Sequence, residues 1–228
     1  MAPRTLSRSV EDYLKAIYGI ADDGQPASTS AVAEALDVQP ASVTGMVKRM
    51  AEAGLLEHVP YKGVVLTEAG AREALKVLRR HRILETYLCA RLGFTWDDVH
   101  DEAERLEHAA SDTLIEQMAR ALGFPSHDPH GAPIPTASGQ IEEIEYSNLA
   151  DASEGDRLLI HAVRDEDPEE LRAMAVDGLI PGARLVVGPI STIDGSVEVD
   201  VANDERGPRN VAAPIATHVY VVPDPSEP

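Results

Sequence analysis

Three things are scarce in this 228-residue chain, and each scarcity excludes something. Cysteine occurs once, at Cys89 in the apolar string Tyr87-Leu88-Cys89-Ala90, so a disulfide framework is excluded and a thiolate-bound structural zinc site is disfavoured. The simplest reading of Cys89 is a small buried hydrophobe. No apolar run reaches the length a bilayer demands, and no apolar stretch follows Met1-Ala2-Pro3-Arg4. The expectation is therefore a cytoplasmic protein with neither a membrane span nor a secretory signal. Basic charge is also short, with 20 Lys and Arg against 39 Asp and Glu, for a net charge of −19. The excess is uneven. Residues 1–75 and 76–140 each carry 7 basic and 10 acidic side chains, whereas residues 141–228 carry 6 and 19. A strongly acidic total weakens non-specific attraction to phosphate, but it leaves DNA binding open wherever local cations face the duplex. Glycine-rich phosphate loops, nucleophile elbows and serine triads are absent from the sequence.

The first segment reads as three helices and a hairpin. Val10, Tyr13, Leu14, Ile17 and Tyr18 recur at helical spacing behind Ser9, and Gly24-Gln25-Pro26 breaks the run. A short helix follows from Ala31 to Leu36, opened by Thr29 or Ser30. After the turn Asp37-Val38-Gln39-Pro40, a third helix runs from Ala41 to about Ala53, with Val43, Val47 and Met50 facing inward and Gly54 stopping it. Residues 55–59 and 63–67 flank Pro60-Tyr61-Lys62 as a hairpin. This order is that of a winged helix-turn-helix, in which one helix braces a second that enters the major groove. A long helix from Glu68 to about Arg91 and two more, starting near Thr95-Trp96-Asp97-Asp98 and at Ser111, suit a dimer interface. Residues 123–139 hold four prolines and three glycines and read as irregular. From Asp156 onward, short apolar runs at 158–160, 184–187, 197–201 and 218–222, with a helix at Pro168 to Asp177, predict a small β-barrel-like domain. The fold class is mainly α for the first two-thirds and a small β-barrel at the end. The expected domains are a winged-helix unit at 1–74, a helical metal-binding and dimerisation unit at 75–140, a linker at 141–150 and the β unit at 151–228.

The string from His100 to His108 carries the chemistry. On a helix, His100, Glu104, Glu107 and His108 fall at i, i+4, i+7 and i+8, one continuous face. Acidic and imidazole groups packed together are repulsive unless a cation neutralises them. His81 and Glu85 sit at i, i+4 on the preceding helix, and two antiparallel helices would bring both sets together, with Asp12 of the first helix completing the shell. A carboxylate–imidazole set without thiolate suits Mn²⁺ or Fe²⁺. A solvated charged face would show the same spacing, and the pattern is not the HExxH of zinc proteases. His127 and His130 also have ligand-like spacing, but they lie in the proline-rich segment and read as surface loop. His58 reads as an exposed residue of the wing.

The strings Val10-Glu11-Asp12-Tyr13-Leu14-Lys15-Ala16-Ile17-Tyr18, Val43-Thr44-Gly45-Met46-Val47, Arg80-His81-Arg82, Val99-His100-Asp101-Glu102-Ala103-Glu104 with Glu107-His108, and Pro129-His130-Gly131-Ala132-Pro133-Ile134-Pro135 resemble the diphtheria-toxin-repressor family of iron- and manganese-dependent repressors. The resemblance spans residues 8–136, and the last third matches the family's SH3-like domain in layout. It implies that Asp12, Glu104, Glu107 and His108 are primary metal ligands and that His81, Glu85 and His100 are ancillary ones, with Asp167 and Glu170 of the SH3-like domain reaching the ancillary ion. Two ions per subunit are implied. Carboxylates at Asp12 and Glu104 are similar to the manganese branch, where the iron branch has sulfur ligands. The third domain is similar to the iron branch. Lys15 stands where the manganese branch has a second carboxylate, and an ammonium cannot ligate a metal. Oxygen in place of sulfur favours Mn²⁺, with Fe²⁺ next.

The function these expectations describe is a metal-dependent repressor, a homodimer on double-stranded operator DNA, controlling metal-homeostasis genes. It is not an enzyme, and no membrane or small organic substrate is involved. Gln39, Pro40, Ala41, Ser42, Thr44, Lys48 and Arg49 are the expected DNA-facing positions, with Lys62 in the wing on the backbone. Two alternatives remain from the residues: a metal-dependent enzyme whose carboxylate–His site activates water, and a winged-helix regulator that answers to an organic ligand rather than a metal.

Overall fold

The computed structural model describes residues 6–21, 25–142, 144–164 and 167–225. The break expected at Gly24 and the Met1–Arg4 start lie outside the described residues. The chain divides into two compact units. The first comprises residues 1–81, 105–115 and 135–141, and the second residues 82–104, 116–134 and 142–228. Among the described residues, no helix is long and apolar enough to cross a membrane.

In the first unit, helices α1 (Arg8–Ile20), α2 (Thr29–Ala35) and α3 (Pro40–Glu52) precede strands β1 (Leu56–Val59) and β2 (Gly63–Leu66). Ser28, rather than Thr29 or Ser30, caps α2, its side chain accepting from Ala31 N at 3.1 Å. Pro40 occupies the first turn of α3, where its missing N–H costs nothing. Tyr13, Leu14 and Ile17 of α1, Val32 and Ala33 of α2, and Val43, Val47 and Met50 of α3 form one buried core with Leu56 and Val64 of the hairpin. Fixing any one of these helices therefore constrains the others. Residue Ala27 adds a third edge to the wing by exchanging both backbone bonds with Val64, at 2.8 and 2.9 Å. The close approach needs glycine at position 63, because a Cβ there would stand 2.0 Å from the Ala27 carbonyl oxygen. Helix α4 (Glu68–Tyr87) follows and ends in a π-helical turn at Leu88–Leu92, stopped by Gly93 in the left-handed region. Helices α5 (Val99–Glu107) and α6 (Asp112–Ala121) complete the helical part.

The second unit holds an antiparallel sheet of six strands in the order β3-β8-β4-β5-β6-β7. These are β3 (Ser147–Asn148), β4 (Arg157–Val163), β5 (Arg184–Ile190), β6 (Val197–Val201), β7 (Arg209–Val211) and β8 (Val219–Pro223). The barrel-like domain is thus an open sheet, with β3 and β7 at its edges. Helix α7 (Pro168–Asp177) buries Leu171 and Met174 against the sheet core of Ile160, Leu185, Val187, Val199 and Val221. Trp96, from the turn before α5, packs on this same core. Three features went unread in the sequence. Strand β7 and helix α8 (Ala213–Ala216) are too short to show a period, and β3 with the 3-10 turn at Leu149–Asp151 occupies the end of the expected linker, anchored by buried Leu149.

Candidate metal centre

Three ligand atoms converge in the first unit. Asp12 projects from α1, while Glu107 and His108 come from the last turn of α5 and the residue after it. His108 Nε2 lies 2.8 Å from Asp12 Oδ1 and 3.2 Å from Glu107 Oε1, and all three donors lie within 4.8 Å of one another. Glu107 Oε1 and His108 Nε2 are buried without an aligned hydrogen-bond partner. On the far side of the ring, His108 Nδ1 donates to Glu11 Oε2 at 2.7 Å, and Glu11 Oε1 accepts from Arg80 Nη2 at 2.7 Å. That assignment puts the proton on Nδ1 and turns the Nε2 lone pair toward the two carboxylates. Two carboxylates and an imidazole held this close, with Glu107 Oε1 and His108 Nε2 lacking hydrogen-bond partners, fit a divalent cation and are costly without one.

The other oxygen of Glu107 is already engaged. Oε2 lies 2.7 Å from His81 Nδ1 and accepts from Lys15 Nζ at 3.0 Å, and the ammonium also stands 3.2 Å from His81 Nδ1. Burial opposes ionisation of Glu107, which has no exposed surface, yet the His81 hydrogen bond and the Lys15 charge outweigh it and hold the carboxyl below its ordinary value. Glu107 is therefore a ready-made carboxylate. Glu104 is half-buried on α5, one turn before Glu107 and His108. A cavity of about 870 Å³ in this unit is lined by Val10, Glu11, Met46, Arg49, Arg80 and His108, among others, so it touches both α3 and the first half of α1.

The second unit gathers a different set. Glu85 of α4 has its Oε1 3.3 Å from His100 Nδ1 of α5. Around it lie Asp128 and His130 from the proline-rich loop, with donor atoms of all three within 4.8 Å. The sequence reading of His130 as surface loop is overturned, since the residue has no exposed surface and its ring stacks on Trp96 at 5.8 Å. His130 Nε2 donates to the Trp96 carbonyl at 2.7 Å, which turns Nδ1 toward Glu85 Oε2, 3.9 Å away. Asp128 accepts from the backbone N–H groups of His130 and Ala132, both at 2.9 Å, and its other oxygen lies 3.4 Å from Arg82 Nε. Cys89 feels this acidity. Burial first, then Glu85 and Asp128, push its thiol up to about 11, so it stays protonated and unreactive. Asp167 and Glu170 are engaged elsewhere: Asp167 caps α7 by accepting from the N–H groups of Glu169 and Glu170, and Glu170 Oε2 lies 2.7 Å from His218 Nδ1. Among the described residues, neither belongs to a group of three or more metal donors.

The residues expected to face DNA, Gln39, Pro40, Ala41, Ser42, Thr44, Lys48 and Arg49, are all exposed, along the outer face of α3 whose inner face holds Val43, Val47 and Met50. Lys62 is exposed beside Tyr61 at the wing tip, and His58 is exposed as expected.

Known proteins share this layout. Residues 5–64 match the iron dependent repressor N-terminal DNA-binding domain, residues 67–136 the iron dependent repressor metal-binding and dimerisation domain, and residues 147–223 the FeoA domain. An uncharacterised helix-turn-helix regulator of Methanocaldococcus jannaschii is 38% identical over 114 residues, covering 50% of this chain and 91% of that protein. The iron-dependent repressor IdeR of Mycobacterium tuberculosis is 35% identical over 127 residues, covering 56% of this chain and 55% of that one. Among solved structures, a manganese-dependent transcriptional repressor in complex with manganese is similar at a TM-score of 0.88 and 38% identity, over 94% of this chain and 99% of that one.

Proposed function

Because the chain belongs to the diphtheria-toxin-repressor family of iron- and manganese-dependent transcriptional repressors, we propose that Asp12, Glu107 and His108, with Glu104 beside them on α5, hold the ion that gates its DNA binding. The observation that carries this reading is the close packing of donor atoms from Asp12, Glu107 and His108, two of them buried without a hydrogen-bond partner. The bound ion supplies the positive charge that lets these groups stay together. With that repulsion removed, Asp12 stays against His108 and α1 is held at the end of α5. Through the shared core, α1 then restricts α2 and the recognition helix α3, favouring a DNA-competent arrangement over the others the metal-free protein samples.

Oxygen-rich donors favour Mn²⁺, with Fe²⁺ next. The engagement of Glu107 Oε2 by Lys15 supports a single ion at this centre. A second ion per subunit belongs at Glu85, Asp128 and His130, with His100 against Glu85. That assignment replaces Asp167 and Glu170 with two loop residues. The DNA-reading face is Gln39, Pro40, Ala41, Ser42, Thr44, Lys48 and Arg49, with Lys62 on the phosphates of a double-stranded operator. Exposed Leu92, Phe94 and Phe124 offer apolar surface for a homodimer. The protein is a cytoplasmic regulator of metal-homeostasis genes, not an enzyme, and acts on no membrane or organic substrate. Fluorescence anisotropy of labelled promoter DNA tests the reading with chelator-stripped protein and Mn²⁺, anaerobic Fe²⁺ or Mg²⁺. Tight binding is expected with Mn²⁺ or Fe²⁺ alone; equal binding without metal retires the gate.

A further inference from the structure

A second pair of histidines stands apart from both carboxylate clusters. His127 precedes the buried Asp128 in the loop, and His161 lies in β4. Their rings meet edge-on with centroids 5.0 Å apart at 77°, and the Tyr146 ring lies 5.1 Å from that of His161. Three polar atoms here are buried without a hydrogen-bond partner: His127 Nε2, His161 Nε2 and the Tyr146 hydroxyl. Unsatisfied buried polar atoms are rare, and three in one cluster point to something that binds there. The backbone is shaped to hold the pair together. Gly131, with φ of +87°, brings the loop so near β4 that a Cβ would stand 2.0 Å from the His161 carbonyl oxygen. Val163 N donates to the His130 carbonyl at 2.9 Å, closing the same junction.

We propose that His127 and His161 bind one borderline divalent cation of the zinc class through their Nε2 atoms, with Tyr146 and Glu142 as the nearby oxygen groups. Metal–nitrogen bonds of about 2.0 Å at a tetrahedral angle place two imidazole centroids roughly 5 Å apart, the spacing found here. His127 Nδ1 is hydrogen-bonded to Ser126 Oγ at 2.9 Å, the kind of contact that orients a ligating ring. Burial, then the neighbouring His127, lower the His161 value against the opposing pull of Glu142. Two nitrogens and a phenol suit Zn²⁺ better than Mn²⁺, which prefers the carboxylate-rich sets described above. The site would give the protein a way to register an ion that its manganese-type centres are not built to select.

Zn²⁺ and Mn²⁺ uptake of the full-length, metal-stripped protein tests this, compared with H127Q and H161Q. The expected result is one fewer Zn²⁺ per chain in each variant, with Mn²⁺ uptake unchanged. Equal Zn²⁺ uptake in all three proteins overturns the proposal. Should a variant fail to fold, the wild-type protein alone decides, through anomalous X-ray scattering at the zinc edge from crystals grown with Zn²⁺. A zinc peak between the His127 and His161 rings is expected, and none in crystals grown with Mn²⁺ alone. Crystals grown with Zn²⁺ that lack this peak overturn the site and assign the three orphaned atoms to trapped water.

Discussion

The two carboxylate clusters use the same side-chain types but differ in how they are held. The Asp12–Glu107–His108 cluster is drawn from helices far apart in sequence, and Asp12 keeps about a third of its side chain exposed. The Glu85–Asp128–His130 cluster is fully enclosed, with Asp128 fixed by two backbone donors and Arg82. An open cluster that joins two helices distant in sequence suits reversible gating. A closed one, satisfied largely by its own loop, suits stability. The difference teaches that ligand chemistry does not by itself tell a sensor from a staple; what does is how much of the shell is complete before the ion arrives.

Four experiments can break or sharpen that contrast. The largest effect is expected from Asp128→Ala, which strips the partner of Arg82 and two backbone N–H groups. Urea denaturation of the metal-free protein is expected to show a loss of about 3 kcal/mol. A loss comparable to that of Asp12→Ala would erase the distinction. Asp12→Ala should leave the fold intact and cut the metal-induced gain in DNA affinity by about 100-fold, read by anisotropy with and without Mn²⁺. Glu11→Gln keeps the shape but weakens the hold on His108 Nδ1, and calorimetry should show metal affinity down about 10-fold. Smallest is Lys62→Ala, expected to weaken operator binding a few-fold and lower the salt slope by about 1, with metal affinity unchanged.

Acid offers a further discriminator, through Glu107. Its folded value lies below the ordinary 4.5, so the stability it confers is complete above that value and is lost as pH falls through the folded value. Urea midpoints of the metal-free protein between pH 7 and 3 should therefore decline in acid, and the decline should be shallower in Glu107→Gln. Parallel curves would show that Glu107 does not carry the shift.

Much of this was legible in the sequence wherever a helix period carried it. Val43, Val47 and Met50 alternate with Ser42, Thr44, Lys48 and Arg49, and the buried and exposed faces of α3 follow that order. The stripe from His100 to His108 likewise announced a donor face because helical spacing is local. His130 and Asp128 were not legible. Their loop has no period, and their burial depends on Trp96 and β4, partners that sequence distance conceals. Asp167 and Glu170, implied as ligands by the resemblance, make contacts that their residue types alone do not announce, a helix cap for one and His218 for the other. Donor chemistry alone does not say which acceptors a fold has already satisfied.

Lys15 has a consequence for concentration. An ion entering the first cluster meets Glu107 with one oxygen already committed to a tethered ammonium that never diffuses away. Dilution does not remove this competitor, and salt screens it poorly at 3.0 Å in a buried setting. For the proposed metal centre, that ammonium amounts to a threshold an incoming ion has to exceed, written into one side chain of α1 and little altered by the ionic strength around it.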